Sequence, residues 1–336
     1  MHSRPPSYSA PSYSVLLIGA WPDVSDGPAM NLDYEEIPTW TQDNLVSAAH
    51  RAGLRTAVSG YNWFEKLIPQ TSVDASFYTP GEDQVADREV VDAALPWLRD
   101  GDPQLVLIHL DQVDYAGHYE GGPLDPRWDA AAGRADGLLR EVAATLDLTQ
   151  DTLFVCSDHG QIDQGGHGGQ DPIVLLEPFV LVGAGVRPGQ YGDVHMVDVA
   201  PTLAAMLGAN IPASSQGHVL TEMLDLTQDQ LGGIRGALEA QQGQLVNLYQ
   251  AAIGRQVVVG PGEDTVAAHQ FALEAARTAR LNAERLPRVI LTLAIVLVPG
   301  AVMLRKRGRE LAWLLGGAVF YGVLFNTRYA VLDGRT

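Results

Sequence analysis

Short apolar runs alternate with helix-like segments between about residues 12 and 220, and this alternation constrains the fold more than any other feature of the chain. Each run is continuous and is bounded by turn residues, as buried strands are. Strand–helix alternation is typical of a mostly parallel sheet that is covered by helices on both faces. We therefore predict an α/β fold. The predicted strands are residues 55–60, 104–110, 152–157 and 178–185, and the predicted helices are residues 41–52 and 127–146.

The strand predicted at residues 104–110 runs into side chains that bind metal ions. Asp114 and His118 follow it and are four residues apart. One helical turn or a tight loop would bring both side chains to one point. Because sites in open parallel sheets form at the carboxyl ends of strands, this position favours a site.

The strand predicted at residues 152–157 ends in a second set of ligand-type side chains. Asp158 and His159 are adjacent, and both can face one point only if the backbone bends, which Gly160 permits. His167 lies in the glycine-rich segment GGHGG, which lets it fold back over the site. The alternative for each motif taken alone is a solvated loop.

Carboxylate and imidazole ligands together suit Zn²⁺, with Mn²⁺ or a mixed pair as alternatives. Two such ions about 4 Å apart would clamp the attacking and leaving oxygens of a phosphoryl transfer. The formal net charge of −18 argues against nucleic-acid binding, which needs stripes of Lys and Arg. It does not exclude phosphate chemistry, because bound metal ions supply positive charge locally.

Other polar side chains have weaker interpretations. His109 lies within a predicted strand and Cys156 within an apolar run, so both are expected in the core. Asp111 is expected as an outer neighbour of the metal ligands. His195 and His218 lie in late loops and are minor candidates for substrate contact.

The C-terminal region contains two uncharged apolar runs, residues 289–304 and 311–325, on either side of the basic segment 305–309. Each run is near the short limit for a membrane span. The basic segment between them favours two transmembrane helices with residues 305–309 in the cytoplasm and the preceding part of the chain outside it. A buried helical hairpin is the alternative.

We expect three regions along the chain. Residues 1–225 form the catalytic domain and residues 287–332 the transmembrane hairpin. Residues 226–286, rich in Ala, Gln, Glu and Leu, form a helical stalk of two helices with a break near residues 257–264.

Four strings carry a family resemblance: VDYAGHYEGGP, SDHGQIDQGGHGGQDP, EPFVLVGAGV and VDVAPTLAAMLGANIPASSQG. In order and spacing, across about residues 9–220, the chain resembles the alkaline phosphatase superfamily. It is most similar to the type I phosphodiesterase/nucleotide pyrophosphatase branch and to the GPI ethanolamine phosphate transferases. The resemblance implies an α/β/α sandwich with a two-metal site that acts on phosphate esters.

Carried over by position, Asp114, His118 and His167 would hold one metal ion, and Asp158 and His159 would hold the second. The implied function is that of a metal-dependent phosphodiesterase or phosphotransferase, tethered to a membrane. Its substrate would be a phosphate ester of a lipid or glycan headgroup, or a nucleotide-type diester.

The resemblance also implies a nucleophile on a helix near the second metal. The branch carries Thr-x-Pro with a Gly ten residues after the Thr, and Ser9, Pro11 and Gly19 match that spacing. Ser is a good N-cap, and a helix N-terminus favours anionic phosphate. Ser7 is the alternative nucleophile. Asn31 resembles the Asn that hydrogen-bonds a phosphate oxygen in this branch.

Two alternatives remain open. A sulfatase-like hydrolase would carry Arg where this chain has Tyr13. The family also places a further Asp ligand of the second metal on a strand before the nucleophile, whereas this chain begins eight residues before Ser9. We therefore expect an N-terminally truncated chain, and a non-catalytic, membrane-anchored binding module on the same fold is the other alternative.

Overall fold

The computed structural model describes residues 1–254, 256 and 265–329, apart from the side chains at 299, 302–304, 306–311 and 322–329. Within these residues the helices and strands are connected by loops and short 3-10 turns. In chain order they are α1 (Ser9–Ile18), α2 (Leu45–Arg51), β1 (Thr56–Tyr61), α3 (Trp63–Leu67), β2 (Ala75–Thr79), α4 (Gln84–Asp100), β3 (Leu105–Ile108), α5 (Gln112–Tyr119), α6 (Pro126–Ala143), β4 (Thr152–Cys156), β5 (Phe179–Gly183), α7 (Val199–Met206), α8 (Gln228–Ile253) and α9 (Thr265–Tyr329).

Three strands form a parallel sheet in the order β2-β1-β3. In its register, Val58 of β1 lies opposite Ser76 of β2 and Leu107 of β3. The predicted parallel sheet is confirmed, since the predicted strands at 55–60 and 104–110 correspond to β1 and β3. The sequence prediction missed β2, because ASFYT mixes polar and aromatic residues and contains no continuous apolar run.

Helices cover both faces of this sheet. On one face, Val58 and Leu107 pack into an apolar cluster with side chains of α1 and α2. On the other face, the Ser59 hydroxyl donates to the Val90 carbonyl of α4 at 2.7 Å, and Ile108 packs against α4 and α6. Successive strand residues point to opposite faces, so both faces of one short strand can be buried. The carboxyl ends of the strands therefore open onto one edge between two helical layers.

β4 and β5 form a separate antiparallel pair, in which Cys156 lies opposite Phe179. The sequence prediction of one mostly parallel sheet therefore needs a correction at this pair. The reason is the connection: residues 157–178 contain turns and only one short 3-10 helix, from Pro172 to Leu175. Without a helical crossover the chain returns antiparallel. The same connection carries the predicted ligands Asp158, His159 and His167.

The C-terminal hairpin prediction was wrong. α9 is one continuous helix from Thr265 to Tyr329 and passes through the basic segment 305–309. Arg and Lys have high helix propensity, so a basic run does not by itself make a turn. Of the helices in the described part of the chain, none reaches the length and mean hydropathy that a membrane span would need. The stalk break predicted near residues 257–264 lies outside the described residues.

Internal contacts divide the chain into two compact units. The first comprises Met1–Leu248 and Pro261–Gln270, and the second comprises Tyr249–Gly260 and Phe271–Thr336. Every predicted site residue belongs to the first unit. The domain boundaries predicted at residues 225 and 286 stay predictions.

Candidate metal centre and nucleophile

The first predicted ligand set comes together at the carboxyl end of β3. Asp114 and His118 lie one turn apart on α5, with 3.3 Å between Asp114 Oδ2 and His118 Nε2. His167 joins them from the loop after β4, since its Nε2 lies 2.9 Å from His118 Nε2 and 3.7 Å from Asp114 Oδ1. One helical turn and one loop thus bring a carboxylate and two imidazoles to one point.

The second predicted set lies directly beside the first. His159 Nε2 is 3.4 Å from Asp158 Oδ2, and the His159 ring stacks on the His167 ring with 3.8 Å between centroids. Asp114, His159 and His167 each offer one ligand atom, and these atoms all lie within 4.8 Å of one another. This group of three takes members from both predicted sets, so the two sets meet in one continuous centre.

Backbone carbonyls orient the two stacked imidazoles. His159 Nδ1 lies 3.1 Å from the Gly160 carbonyl oxygen, and His167 Nδ1 lies 2.9 Å from the Ser7 carbonyl oxygen. A carbonyl oxygen can only accept, so Nδ1 of each ring carries the hydrogen. Each Nε2 therefore presents a lone pair toward Asp114, the arrangement typical of metal-bound histidines.

The glycines of the segment around His167 allow its close approach to the N-terminal segment. Gly168 adopts φ +96°, and a Cβ at this position would meet the ring of Tyr8. The Gly168 N–H donates to the Ser7 hydroxyl at 3.1 Å, and that hydroxyl donates to the Gly169 carbonyl at 2.9 Å. Ser7, the alternative nucleophile, thus holds the loop that carries His167.

Ser9 lies at the buried rim of the centre. Its hydroxyl oxygen is 3.2 Å from His159 Nε2, and the residue is 8% exposed. The N-cap of α1 is Tyr8, so Ser9 is the first helical residue rather than the cap that its sequence context indicated. Its hydroxyl is therefore not used in capping and faces the imidazole instead.

Asn31 lies at the same end of α1. Its side-chain oxygen accepts the Ala10 N–H at 3.1 Å. This contact satisfies one of the free backbone donors of the first helical turn. It also fixes the Asn31 amide next to Ser9, the position that the predicted phosphate contact requires.

Sequence reasoning missed several residues that support the centre. Gln161 donates to Asp114 Oδ1 at 2.6 Å and accepts from the Trp128 indole N–H at 3.0 Å. Gly117 lies directly under the Gln161 amide, where a Cβ would collide with it. The signal available in the sequence is Gly117 itself, between the Asp and His of DYAGH, because a helix-interior glycine usually marks a close approach.

A second missed pair connects α1 to β3. The Tyr13 hydroxyl lies 2.8 Å from His109 Nε2, and Tyr13 is one turn beyond Ser9 on the same helix. Burial raises the pKa of Tyr13 well above its ordinary value, and Asp158 adds to that effect. His109, predicted in the core, is thus the inner end of a buried hydrogen bond behind Ser9.

The electrostatics of the centre follow from its mixed charges. Burial opposes ionisation of Asp114, but the hydrogen bond with His118 and the neighbouring imidazoles outweigh it, so its pKa lies below the ordinary value. The same hydrogen bond raises the pKa of His118. Burial, with His159 alongside, lowers the pKa of His167. A carboxylate that stays ionised beside a neutral imidazole is the protonation state that binds a divalent cation.

Other sequence candidates lie elsewhere in the first unit. His218 Nδ1 pairs with buried Asp198 at 3.0 Å, and the His195 N–H donates to the same carboxylate at 2.9 Å. Both histidines thus contact Asp198, the residue that directly precedes α7. Burial raises the pKa of the Cys156 thiol to about 12, which keeps it neutral.

The donor set fits a divalent metal ion. Imidazole nitrogens and carboxylate oxygens are ligands of Zn²⁺ and Mn²⁺, and imidazole nitrogens that converge on one point can bind a cation there. His118 Nε2 and His167 Nε2 face each other at 2.9 Å, which places two nitrogens of this set toward the same point.

Comparison with known proteins agrees with the chemistry of this centre. The family model of type I phosphodiesterase / nucleotide pyrophosphatase matches residues 6–252. The catalytic subunit of GPI ethanolamine phosphate transferase 2 of Homo sapiens is 27% identical over 238 residues, which are 66% of this chain and 24% of the human protein. GPI ethanolamine phosphate transferase 2 of Yarrowia lipolytica is 26% identical over 283 residues, which are 76% of this chain and 32% of the yeast protein.

Among solved structures, human ectonucleotide pyrophosphatase / phosphodiesterase 5 aligns with a TM-score of 0.49 and 13% identity, covering 62% of this chain and 86% of that one. The chain spans about a quarter of the length of the first curated relatives that it matches. The matched segment 6–252 contains Ser9, Asn31 and all five predicted metal ligands. The chain belongs to the type I phosphodiesterase / nucleotide pyrophosphatase family of the alkaline phosphatase superfamily.

Proposed function

We propose that this chain transfers a phosphoryl-type group from a phosphate diester, with Ser9 as the nucleophile. One observation carries the proposal: the Ser9 hydroxyl oxygen lies 3.2 Å from His159 Nε2, beside the cluster of Asp114, His159 and His167. A buried serine at a helix N-terminus beside metal-type ligands has the position that nucleophilic attack on a phosphate ester requires.

Two divalent ions, Zn²⁺ or Mn²⁺, complete the site in this proposal. Asp114, His118 and His167 would hold one, and Asp158 and His159 would hold the other. When bound, the ions would favour the ionised serine and neutralise charge on the phosphate oxygens.

The side chains of the protein would supply the group that attacks phosphorus and would orient the phosphate oxygens. The Ser9 hydroxyl loses its proton as its oxygen forms a bond to phosphorus, the bond from phosphorus to the departing ester oxygen breaks, and that oxygen gains a proton. Water or an acceptor hydroxyl then attacks the same phosphorus, loses its proton and frees Ser9. The side-chain N–H of Asn31 would donate to a non-bridging oxygen, since preorganised donors stabilise developing charge.

The substrate class follows from the relatives. They are named GPI ethanolamine phosphate transferases. We propose an ethanolamine-phosphate-type diester, on a lipid or glycan headgroup, as the donor for this chain. A hydroxyl acceptor makes the reaction a transfer, and water makes it a hydrolysis.

Attachment to a membrane is a further part of the proposal. What supports it is the uncharged segment 289–298 of α9, whose large apolar side chains are each at least half exposed. Alkaline carbonate extraction of membranes from cells that express the full chain tests this part. The chain should remain in the membrane pellet, and its quantitative release would contradict attachment.

Metal content and turnover, measured on the same preparation, test the catalytic proposal. We expect the purified full chain to bind Zn or Mn and to release nitrophenol from bis(4-nitrophenyl) phosphate. Ser9→Ala should lose turnover and keep its metal, while Ser76→Ala, at an exposed serine of β2, should change neither. Turnover that survives in Ser9→Ala would refute Ser9 as the nucleophile, and a metal-free wild-type chain that still turns over would refute the metal centre.

A further inference from the structure

The N-terminus of α5 is held by a carboxylate from a different helix. Asp111 is the N-cap residue of α5, and its own side chain makes no capping hydrogen bond. Asp87 of α4 caps the helix instead, since its Oδ1 accepts the Asp111 N–H at 2.7 Å and its Oδ2 accepts the Gln112 N–H at 3.3 Å. The first N–H groups of a helix have no partner within the helix, so a carboxylate that accepts them fixes where the helix begins.

The Gln112 side chain extends this contact to a third helix. Its Nε2 donates to Asp87 Oδ2 at 2.7 Å, and its Oε1 accepts the Nε–H of Arg134 on α6 at 2.9 Å. We call Asp87, Gln112 and Arg134 the interhelix network. Asp87 and Gln112 are each 1% exposed, so water does not compete for these contacts. A buried polar network of this kind fixes one arrangement of the helices that it joins.

The helix that the interhelix network holds carries two of the predicted metal ligands. Asp114 lies two residues after Gln112, and His118 lies one turn further along α5. Because both ligands belong to one short helix, a shift of its first turn displaces them together relative to His167. The network thus reaches the metal centre through the α5 backbone, whereas Gln161 reaches Asp114 from the loop after β4.

The charge of Asp87 does not stabilise the fold. Burial raises the pKa of Asp87 above its ordinary value, although the hydrogen bonds from Asp111 and Gln112 lower it. A carboxyl group whose pKa is raised by folding costs stability when it is ionised. What the carboxylate contributes is therefore the position of the α5 N-terminus.

We propose that Asp87 is a positioning residue for the metal centre, which holds Asp114 and His118 in place beside His167 through the backbone of α5. The inference rests on the proposed function, because it concerns two of the metal ligands. Asp87 acts only through other groups: its oxygens accept the N–H groups of Asp111 and Gln112, and those residues begin the helix.

Exchanging the charge between Asp87 and Gln112 tests the proposal. Asp87→Asn turns an NH₂ group toward the Gln112 amide, so two donors meet, and Gln112→Glu places two carboxylates together. The double variant Asp87→Asn/Gln112→Glu restores a donor opposite an acceptor, and its new carboxylate faces Arg134. We expect each single variant to weaken metal binding by about tenfold or more, as the loss of an outer partner does, and the double variant to recover most of the affinity.

Co²⁺ is the probe, because it accepts the same ligands as Zn²⁺ and its visible absorption depends on the geometry of those ligands. A titration followed by absorption gives the number of ions, their affinity and their geometry without turnover. The single variants should bind one ion more weakly and with an altered spectrum, and the double variant should regain the wild-type spectrum. Arg134→Met, at an exposed residue, should weaken binding less, and it tests the network even where a change at buried Asp87 prevents folding.

The matched control is Ser59→Ala. The buried Ser59 hydroxyl donates to the Val90 carbonyl of α4 at 2.7 Å, so this variant loses a buried contact of the same helix and none of α5. Its free energy of unfolding, measured with urea, should fall, while its Co²⁺ titration should match that of the wild type. Equal weakening of Co²⁺ binding in Ser59→Ala would show that the variants act through stability and would overturn the role of Asp87.

Failure of this inference and failure of the proposed function give different results. If the wild type binds Co²⁺ and both single variants bind it equally well, the role of Asp87 is overturned and the metal centre stands. A double variant that binds as weakly as the single variants also overturns that role. Weakened single variants with recovery in the double variant support it even if the chain shows no turnover. A wild-type chain that binds no Co²⁺ refutes the metal centre, and the inference fails with it.

Discussion

Two aspartates follow β3 at the edge of the sheet where the candidate site lies, and they differ in how their charges are balanced. In the metal centre, Asp114 stands among imidazoles, and its pKa lies below the ordinary value. Burial and neighbouring carboxylates instead raise the pKa of Asp111 well above its ordinary value. The two aspartates are three residues apart in the chain.

The difference shows that burial alone does not set the state of an aspartate. Both side chains are shielded from water, which disfavours the ionised form. Asp114 overcomes that penalty through His118, His159 and His167. Asp111 has neighbours of like charge instead. Asp114 is therefore held ionised in advance for a cation, whereas burial and its neighbours of like charge favour the neutral, protonated form of Asp111.

Removing the carboxylate of Asp114 should have the largest effect on the metal centre. We expect Asp114→Ala to lose its bound metal and to lower turnover by at least about a thousandfold, because the imidazoles then lack their anionic partner. Metal analysis and kcat/KM on the same sample measure both effects. Asp92→Ala, at a carboxylate of α4 paired with Arg88, serves as the control and should retain metal and turnover. A variant at position 114 with full metal content would contradict the assignment.

Strain in the loop that carries His167 should disturb the metal centre. Gly168→Ala forces a side chain into φ +96° and against the Tyr8 ring. We expect the free energy of unfolding, measured by chemical denaturation, to fall by roughly 2 to 3 kcal/mol. Metal binding should also weaken as His167 moves. Gly166→Ala has a similar positive φ of 98° but open space around it, so it separates backbone strain from the collision with Tyr8. Equal effects of the two substitutions would show that the Tyr8 contact is unimportant.

The amide that holds Asp114 should have a smaller effect. Gln161→Leu removes the 2.6 Å hydrogen bond to Asp114 Oδ1 and keeps the volume of the side chain. Loss of such an outer partner typically weakens metal affinity about 10- to 100-fold. Competition with a chelator measures the affinity. Unchanged metal affinity would mean that His118 and His167 orient Asp114 without help.

The smallest expected effect concerns a third carboxylate, that of Glu177. It sharpens the comparison because burial raises its pKa, as it does that of Asp111. Glu177 is 3% exposed, and burial raises its pKa to about 7 even though the Ser3 hydroxyl donates to it at 2.6 Å. A raised folded-state pKa gives stability that is present below the ordinary value of Glu and is lost as pH rises through about 7.

Glu177→Gln should therefore flatten the dependence of stability on pH between about 4.5 and 7.5, by roughly 1 to 2 kcal/mol relative to the wild type. Urea midpoints at several pH values across this range measure the effect. Glu89→Gln, at an exposed glutamate, should leave the wild-type profile intact. Parallel profiles of Glu177→Gln and the wild type would show that Glu177 does not ionise in this range.

The sequence by itself determined the elements that carry the site and the edge on which it lies. Apolar runs bounded by turn residues placed β1, β3, β4 and β5, and ligand-type residues after two of them marked Asp114, His118, Asp158, His159 and His167. These features are local, since each depends on residues within one element or its following loop. The helix start that faces the centre was located differently, by the resemblance of Ser9, Pro11 and Gly19 to the pattern of the family.

Only the tertiary structure decided how those pieces meet. It turned β5 antiparallel to β4, continued α9 through the basic segment 305–309, made Ser7 a support of the His167 loop and joined the two predicted ligand sets into one centre. It also gave Asp111 and Asp114 opposite electrostatic surroundings. The physical reason is that contacts between residues far apart in the chain depend on packing and on shielding from water, and neither is written in any short stretch of sequence.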